Sequence, residues 1–121
     1  MKRRVLAAVD DMFFASKIRA TAESLGVEFE RARTLESAIE RARANRPSVI
    51  LADLHSQNCD PFALAEQLKA DAHLRDVPLV GFFSHVQTNL RDRAQAAGFD
   101  RVLARSAFVI QLPTILADDL V

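Results

Sequence analysis

The sequence is poor in the residues that stabilise secreted domains or hold structural metals. It contains one cysteine, Cys59, so an internal disulfide bond is excluded and a zinc site would lack a second thiolate. Its 16 basic and 16 acidic residues cancel to a formal net charge of zero. That balance gives no indication of binding to nucleic acid or to an anionic membrane, and we expect neither as a partner.

Long apolar runs and processing signals are also missing. No apolar stretch approaches the roughly 20 residues of a membrane-spanning helix. The N-terminal segment MKRRVLAAVDD begins with a basic run, as secretion signals do. Two carboxylates then interrupt its apolar stretch, and no small-residue cleavage site follows. We therefore expect a soluble, cytoplasmic protein.

Length and composition are typical of one globular domain. The chain has 121 residues, of which 50% are hydrophobic, and this is ample for a buried core. It shows no internal repeat, no low-complexity stretch and no linker rich in Pro, Gly or Ser. Residues 1–121 are therefore predicted to form a single domain.

Two kinds of segment alternate along the chain. Short apolar runs predict strands at Arg4–Val9, Ser48–Leu54, Val77–Phe83 and Arg101–Ala104, and a weaker, alternating segment predicts one at Val27–Arg33. Stretches with helical periodicity follow each of them. Because strands that are apolar on both faces alternate with helices, the pattern predicts an α/β fold with a doubly wound parallel sheet.

Several helix boundaries carry local signals. The buried stripe of the first helix is predicted to contain Phe14, Ile18, Ala22 and Leu25. Thr34 is expected to cap the second helix, and Asp60 followed by Pro61 to start the third. The fourth is expected from about Gln87 to Ala97 and the fifth from near Ser106.

Carboxylates follow two of the predicted strands. Asp10 and Asp11 close the first strand, and Asp53 closes the third. These strands are neighbours in a doubly wound sheet, and ligands bind at the carboxyl ends of its strands. Each acid could simply cap a helix, but three converging carboxylates repel one another unless a cation compensates. The arrangement favours a functional pocket whose hard oxygen ligands suit Mg²⁺.

The residues around these acids resemble the receiver domains of response regulators in two-component signalling. The matching motifs are Val9-Asp10-Asp11, Ile50-Leu51-Ala52-Asp53-Leu54, Val77-Pro78-Leu79-Val80 and Ala97-Gly98-Phe99-Asp100. Together they extend over essentially the whole chain. The resemblance implies a flavodoxin-like sheet in the order 2-1-3-4-5, with the first and fifth helices on one face and the other three on the opposite face.

The resemblance also implies roles for single residues. Asp53 would accept a phosphoryl group as a carboxylate nucleophile. Asp11, Asp53 and the backbone carbonyl of His55 would bind Mg²⁺ weakly, while Asp10 would hold a metal-bound water. Arg105 stands where the family has a lysine and would contact the phosphoryl group. Without metal, we expect Arg105 to lean toward Asp53 as its counter-charge.

The chain departs from the family pattern at Gln57, Pro61, Phe83, Val102 and Ser106. Phe83 replaces a Thr or Ser whose hydroxyl binds a phosphoryl oxygen, and Ser84 would need a local bulge to take over. Val102 replaces the aromatic residue of the family's switch. Gln57 and Ser106 replace prolines, and Pro61 replaces a glycine. The resemblance therefore implies a receiver without the standard relay from the phosphoryl group to the fourth helix and fifth strand.

Two functions are consistent with a chain that has the acidic residues of the family but departs from its pattern elsewhere. The leading hypothesis is a stand-alone receiver, phosphorylated at Asp53 by a histidine kinase or phosphotransfer protein and signalling through protein contacts. It would have no enzymatic activity beyond its own phosphorylation and dephosphorylation. Phe83 and Val102 favour the alternative, a phosphorylation-independent pseudo-receiver that acts as an interaction module.

Two further classes fit the residues less well. A phosphohydrolase of the haloacid dehalogenase type would have a second aspartate two residues after Asp10, where Met12 stands. A flavin site would need a Gly-rich or Ser/Thr-rich phosphate loop after the first strand, and the sequence has none there.

Overall fold

The computed structural model describes residues 3–84 and 89–117. Strands and helices alternate strictly within them. The strands are β1 (Arg4–Ala8), β2 (Glu28–Ala32), β3 (Val49–Asp53), β4 (Leu79–Phe83) and β5 (Arg101–Ala104). The helices are α1 (Met12–Ser24), α2 (Leu35–Ala44), α3 (Pro61–Ala70), α4 (Leu90–Ala97) and α5 (Arg105–Ala117). The predicted start of the fourth helix at Gln87 lies outside the described residues.

The five strands form one parallel sheet in the order β2-β1-β3-β4-β5, which confirms the predicted topology. β1 lies between β2 and β3, so that Val5 pairs with Phe29 on one side and Val49 on the other. The carboxyl ends of β1 and β3 therefore lie side by side. This adjacency brings the segment that carries Asp10 next to Asp53.

Alternating side chains of the interior strand β1 point into two separate buried layers. Val5 and Ala7 pack with residues of α1 and α5, whereas Leu6 and Ala8 pack with residues of α2, α3 and α4. The predicted distribution of helices over the two faces is confirmed. In the layer under α1 and α5, the Phe82 ring lies 4.9 Å from Phe14 and 4.6 Å from Phe108, measured between ring centroids.

The predicted caps of α2 and α3 are confirmed. Thr34 and Ser37 form a reciprocal capping box at the start of α2. Asp60 accepts hydrogen bonds from two backbone N–H groups in the first turn of α3, and Pro61 occupies the first helical position. These ends form where expected because each cap depends only on residues within one turn of the chain.

Several boundaries differ from the prediction. Leu25 is 42% exposed, because α1 ends at Ser24 and Gly26, with φ of 70°, turns the chain away from the helix. β4 begins at Leu79, because the N–H of Val77 donates to Leu74 within a turn. α5 begins at Arg105, in agreement with the expected start near Ser106. None of the described helices has the length and apolarity needed to cross a membrane.

Candidate functional site

Asp53, the predicted phosphoryl acceptor, is the last residue of β3 and is half-buried. Its Oδ1 accepts a 2.8 Å hydrogen bond from the backbone N–H of His55. Burial is the main influence on its pKa and raises it, and the charge of Asp10 acts in the same direction. The N–H of His55 and the charges of His55 and Arg105 oppose this rise. Asp10 and Arg105 therefore act on the pKa of Asp53 in opposite directions.

Asp10 is engaged by the loop that joins β3 to α3. Its Oδ1 accepts a 2.8 Å hydrogen bond from the Ser56 hydroxyl. Its Oδ2 accepts from the backbone N–H groups of Gln57 at 3.0 Å and Asn58 at 3.5 Å. The Ser56 hydroxyl oxygen in turn accepts from the N–H of Cys59 at 3.1 Å. We call these three bonds to Asp10 the Asp10–loop contact; they tie the end of β1 to the loop beyond Asp53.

Asp11 faces a different neighbour. Its Oδ1 caps α1 by accepting hydrogen bonds from the N–H groups of Phe13 at 2.9 Å and Phe14 at 3.3 Å. Its Oδ2 lies 3.5 Å from Nη2 of Arg105. The pKa of Asp11 is lowered, first by the Phe14 hydrogen bond and to a smaller extent by Arg105. The carboxylate is thus held by a helix end and an ion pair.

The expectation that Arg105 leans on Asp53 is wrong about its contact partner. The guanidinium pairs with Asp11 and lies 4.1 Å from the centroid of the Phe14 ring. Both partners belong to the start of α1, and the aromatic face attracts a planar cation. Arg105 acts on Asp53 only through its charge, which lowers the pKa of that carboxyl.

Arg31 belongs to this site, although sequence reasoning did not select it. Its Nε donates to the carbonyl of Val9 at 3.0 Å, and its Nη2 donates to the carbonyl of Asp10 at 2.7 Å. A side chain of the edge strand β2 therefore fixes the main chain that carries both acids. The sequence indicates this role only by placing Arg31 on the predicted second strand. In the structure Arg31 is in register with Ala7 of β1.

The departures from the family pattern occupy ordinary structural positions. Phe83 is half-buried against the layer under α2–α4, with the Arg91 guanidinium 5.6 Å from its ring centroid. Val102 is buried in the same layer. Ser84 and Ser106 are exposed, and Pro61 is buried at the start of α3. Gln57 contributes its backbone N–H to Asp10.

The aromatic ring of Phe99 packs against Gly81, the residue of β4 that pairs with Val102. Gly81 of β4 is the register partner of Val102. A Cβ atom on Gly81 would come within 2.9 Å of the Phe99 ring and 3.0 Å of the Leu54 side chain. The Phe99 ring therefore lies directly over Gly81. Phe99 is therefore closely packed in the layer to which Phe83 and Val102 also belong.

The donor chemistry at this edge fits Mg²⁺, although the predicted acids are not assembled into one cluster. Among residues 3–84 and 89–117, no group of three or more His, Cys, Asp or Glu side chains is placed to hold a metal. Asp10 is bound to the loop and Asp11 to Arg105. Mg²⁺ nevertheless needs only one or two carboxylates beside carbonyl and water oxygens. Asp53 and Asp11, with the carbonyl of His55, are oxygen donors of that kind.

Known proteins resemble this chain in sequence and in fold. No family model matches the chain. The polar-differentiation response regulator DivK of Brucella anthropi is 24% identical over 105 residues, which cover 87% of this chain and 85% of DivK.

Solved structures show the same fold. The chemotaxis response regulator CheY4 of Vibrio cholerae superposes on this chain with a TM-score of 0.86 at 19% identity. The superposition covers 99% of this chain and 100% of the CheY4 chain. The receiver domain of a Pseudomonas aeruginosa sensor histidine kinase superposes with a TM-score of 0.83 at 22% identity, covering 96% and 95% of the two chains. That receiver holds a magnesium ion in its active-site cleft. The chain therefore has the fold of response-regulator receiver domains and is similar in sequence to the response regulator DivK.

Proposed function

We propose that the domain accepts a phosphoryl group at Asp53 and signals through contacts with other proteins. The observation that carries this proposal is the position of Asp53 at the carboxyl end of β3. It lies close enough to Arg105 for that cation to lower its pKa. A nucleophilic carboxylate and a basic side chain at one sheet edge both support phosphoryl transfer.

In the proposed reaction, an Asp53 carboxylate oxygen attacks the phosphorus of a phosphohistidine or of a small phosphodonor. The new O–P bond makes an acyl phosphate, and the bond from phosphorus to the donor breaks with its electron pair leaving on the donor. Arg105 moves from Asp11 to the phosphoryl oxygens, where its charge-assisted hydrogen bonds offset the added negative charge. Bound Mg²⁺, held by Asp11, Asp53 and the carbonyl of His55, would supply further charge neutralisation.

The donor partner is proposed to be a histidine kinase or a phosphotransfer protein in the cytoplasm. One of the solved structures with this fold is itself the receiver of a sensor histidine kinase. The acyl phosphate is the stored signal rather than a released product, so we propose no enzymatic activity beyond phosphorylation and dephosphorylation of Asp53 itself.

Phosphate-affinity electrophoresis after incubation with acetyl phosphate and Mg²⁺ tests this proposal. We expect a retarded band for the wild type and none for Asp53→Asn. Asp60→Asn is the matched control, because it removes an acid from the neighbouring helix start and asparagine still caps α3. A retarded band in Asp53→Asn would move the acceptor elsewhere, and no band in the wild type would contradict the proposal.

A pseudo-receiver remains the second candidate, and two observations favour it. Phe83 is a half-buried apolar residue where the family has a hydroxyl, and Asp10 is already satisfied by the loop. This function predicts that a binding partner isolated with the wild type binds Asp53→Asn with equal affinity, as measured by calorimetry. A loss of binding in Asp53→Asn would contradict it.

A further inference from the structure

The Asp10–loop contact depends on two residues that the acidic motif itself does not include. Of the donors to Asp10, the Ser56 hydroxyl and the Gln57 N–H make the two shorter bonds, at 2.8 and 3.0 Å. They engage different oxygens of the carboxylate. A carboxylate that accepts a hydrogen bond on each oxygen is well solvated by the protein and has less to gain from a cation.

Gln57 supplies a donor that a proline could not. The family that this chain resembles has a proline at this position, and proline has no backbone N–H. The departure at Gln57 therefore creates one of the bonds to Asp10. Ser56 adds the second short bond and is itself oriented by the N–H of Cys59. Both contributions come from a loop that starts immediately after Asp53.

We propose that Ser56 and Gln57 are positioning residues that withhold Asp10 from the metal site and thereby weaken Mg²⁺ binding. The inference rests on the proposed function and on the role that the family resemblance implies for Asp10, which would hold a metal-bound water. To do so, its carboxylate has to give up the two short bonds from the loop. The cost of breaking them opposes metal binding, so the loop sets the Mg²⁺ concentration at which the site fills.

The test is a Mg²⁺ titration followed by amide ¹H–¹⁵N spectra of the full chain. Gln57→Pro removes the N–H, and Ser56→Ala removes the hydroxyl. Gln57→Ala is the matched control, because it changes the same side chain and keeps the N–H. We expect Gln57→Pro and Ser56→Ala to bind Mg²⁺ up to about tenfold more tightly than the wild type, the scale of outer-ligand effects at metal sites. Gln57→Ala should match the wild type.

The wild-type titration carries a second readout. Mg²⁺ should shift the amide signals of Gln57 and Asn58, because their N–H groups lose the Asp10 acceptor. Ser56→Ala leaves the backbone unchanged, so it decides the question if Gln57→Pro does not fold. Equal Kd values for Mg²⁺ in the wild type, Ser56→Ala and Gln57→Pro would overturn the inference. So would the absence of Mg²⁺ binding in all of them.

Failure of the inference and failure of the proposed function have different signatures. If the wild type is phosphorylated at Asp53 while all Kd values agree, only the role of the loop is wrong. If Ser56→Ala binds Mg²⁺ more tightly but Asp53 takes no phosphoryl group, the loop role is supported and the proposed function is wrong.

Discussion

Arg105 and Asp11 form an ion pair across the edge of the sheet, with 3.5 Å between Nη2 and Oδ2. The pair joins the first residue of α5 to the cap of α1, and the Phe14 ring lies beneath the guanidinium. The cation that we propose for phosphoryl binding is therefore kept beside Asp53 by partners from α1. A lysine would keep the charge but not the planar stacking on Phe14.

The first prediction concerns this cation. Arg105→Gln should slow phosphorylation by acetyl phosphate by roughly tenfold, because a charge-assisted contact to the phosphoryl oxygens is lost. Arg105→Lys should fall between that variant and the wild type. Band retardation measured over time gives the rates, and Arg75→Gln, at an exposed arginine of the loop before β4, is the control. Equal rates in Arg105→Gln and the wild type would exclude Arg105 from the reaction.

The second prediction follows from the raised pKa of Asp53. Because the folded-state pKa exceeds the unfolded one, the folded protein keeps this proton to higher pH. Its contribution to stability is complete below about pH 4 and is lost as pH rises through the folded pKa. Asp53→Asn should therefore unfold at higher urea concentration than the wild type at pH 7, with the difference disappearing at pH 3. A difference that does not change with pH would contradict the pKa shift.

The third prediction concerns Gly81 and Phe99. Gly81→Ala places a methyl group within 2.9 Å of the Phe99 ring, so it should lower the free energy of unfolding by about 1–3 kcal/mol. Urea denaturation measures the change. Adding Phe99→Leu should recover part of the loss in the double variant, because it removes the ring that is struck. Additive losses would show that the strain arises elsewhere.

The fourth prediction concerns switching. Beryllofluoride, a phosphoryl mimic, should shift the amide signals around Asp10, Asp53 and Arg105 and leave those of α4 and β5 nearly unchanged. Phe83 has no hydroxyl to move toward the mimic, and Val102 is too short to swing between two positions. A ligand shifts an equilibrium only through a differential contact with two states. Large shifts across Leu90–Ala97 and Arg101–Ala104 would show that a different relay exists.

The fifth prediction concerns Cys59. Burial, followed by the charges of Asp10 and Asp60, raises the pKa of this thiol to about 11. Because the thiolate is the reactive form, iodoacetamide should alkylate the native protein slowly at pH 7 and faster as pH approaches 11. Urea-unfolded protein provides the control, with a midpoint near the ordinary thiol pKa. A native midpoint equal to the unfolded one would show that Cys59 is neither buried nor affected by these charges.

Much of the fold could be predicted because its signals are local or periodic. The caps at Thr34 and Asp60 depend on one turn of chain, and the alternation of strands and helices predicts the parallel sheet. The placement of Asp10 near Asp53 follows from the neighbouring positions of β1 and β3. Leu25 was assigned to the buried stripe wrongly, because the helix ends one residue before it and periodicity does not report where a helix stops.

The contacts of the site could not be predicted at the same level. Ser56 and Asp10 are 46 positions apart, and Arg31 reaches the carbonyl of Asp10 over 21. These bonds depend on the path of a loop and on one rotamer of a long side chain. Neither produces a periodic pattern in the sequence. The same holds for Arg105, which pairs with Asp11 and lies 4.1 Å from the centroid of the Phe14 ring instead of contacting Asp53.

The interior position of β1, between β2 and β3, has a consequence for the order in which this chain can fold. β1 pairs with β2 and β3, and its Val5 and Ala7 are covered by α1 and by α5. During synthesis, the first strand made therefore waits for the last helix before that face closes. Phe14 and Phe82 also lack the Phe108 ring until α5 is made. Such exposed apolar surface favours aggregation until α5 packs onto this layer.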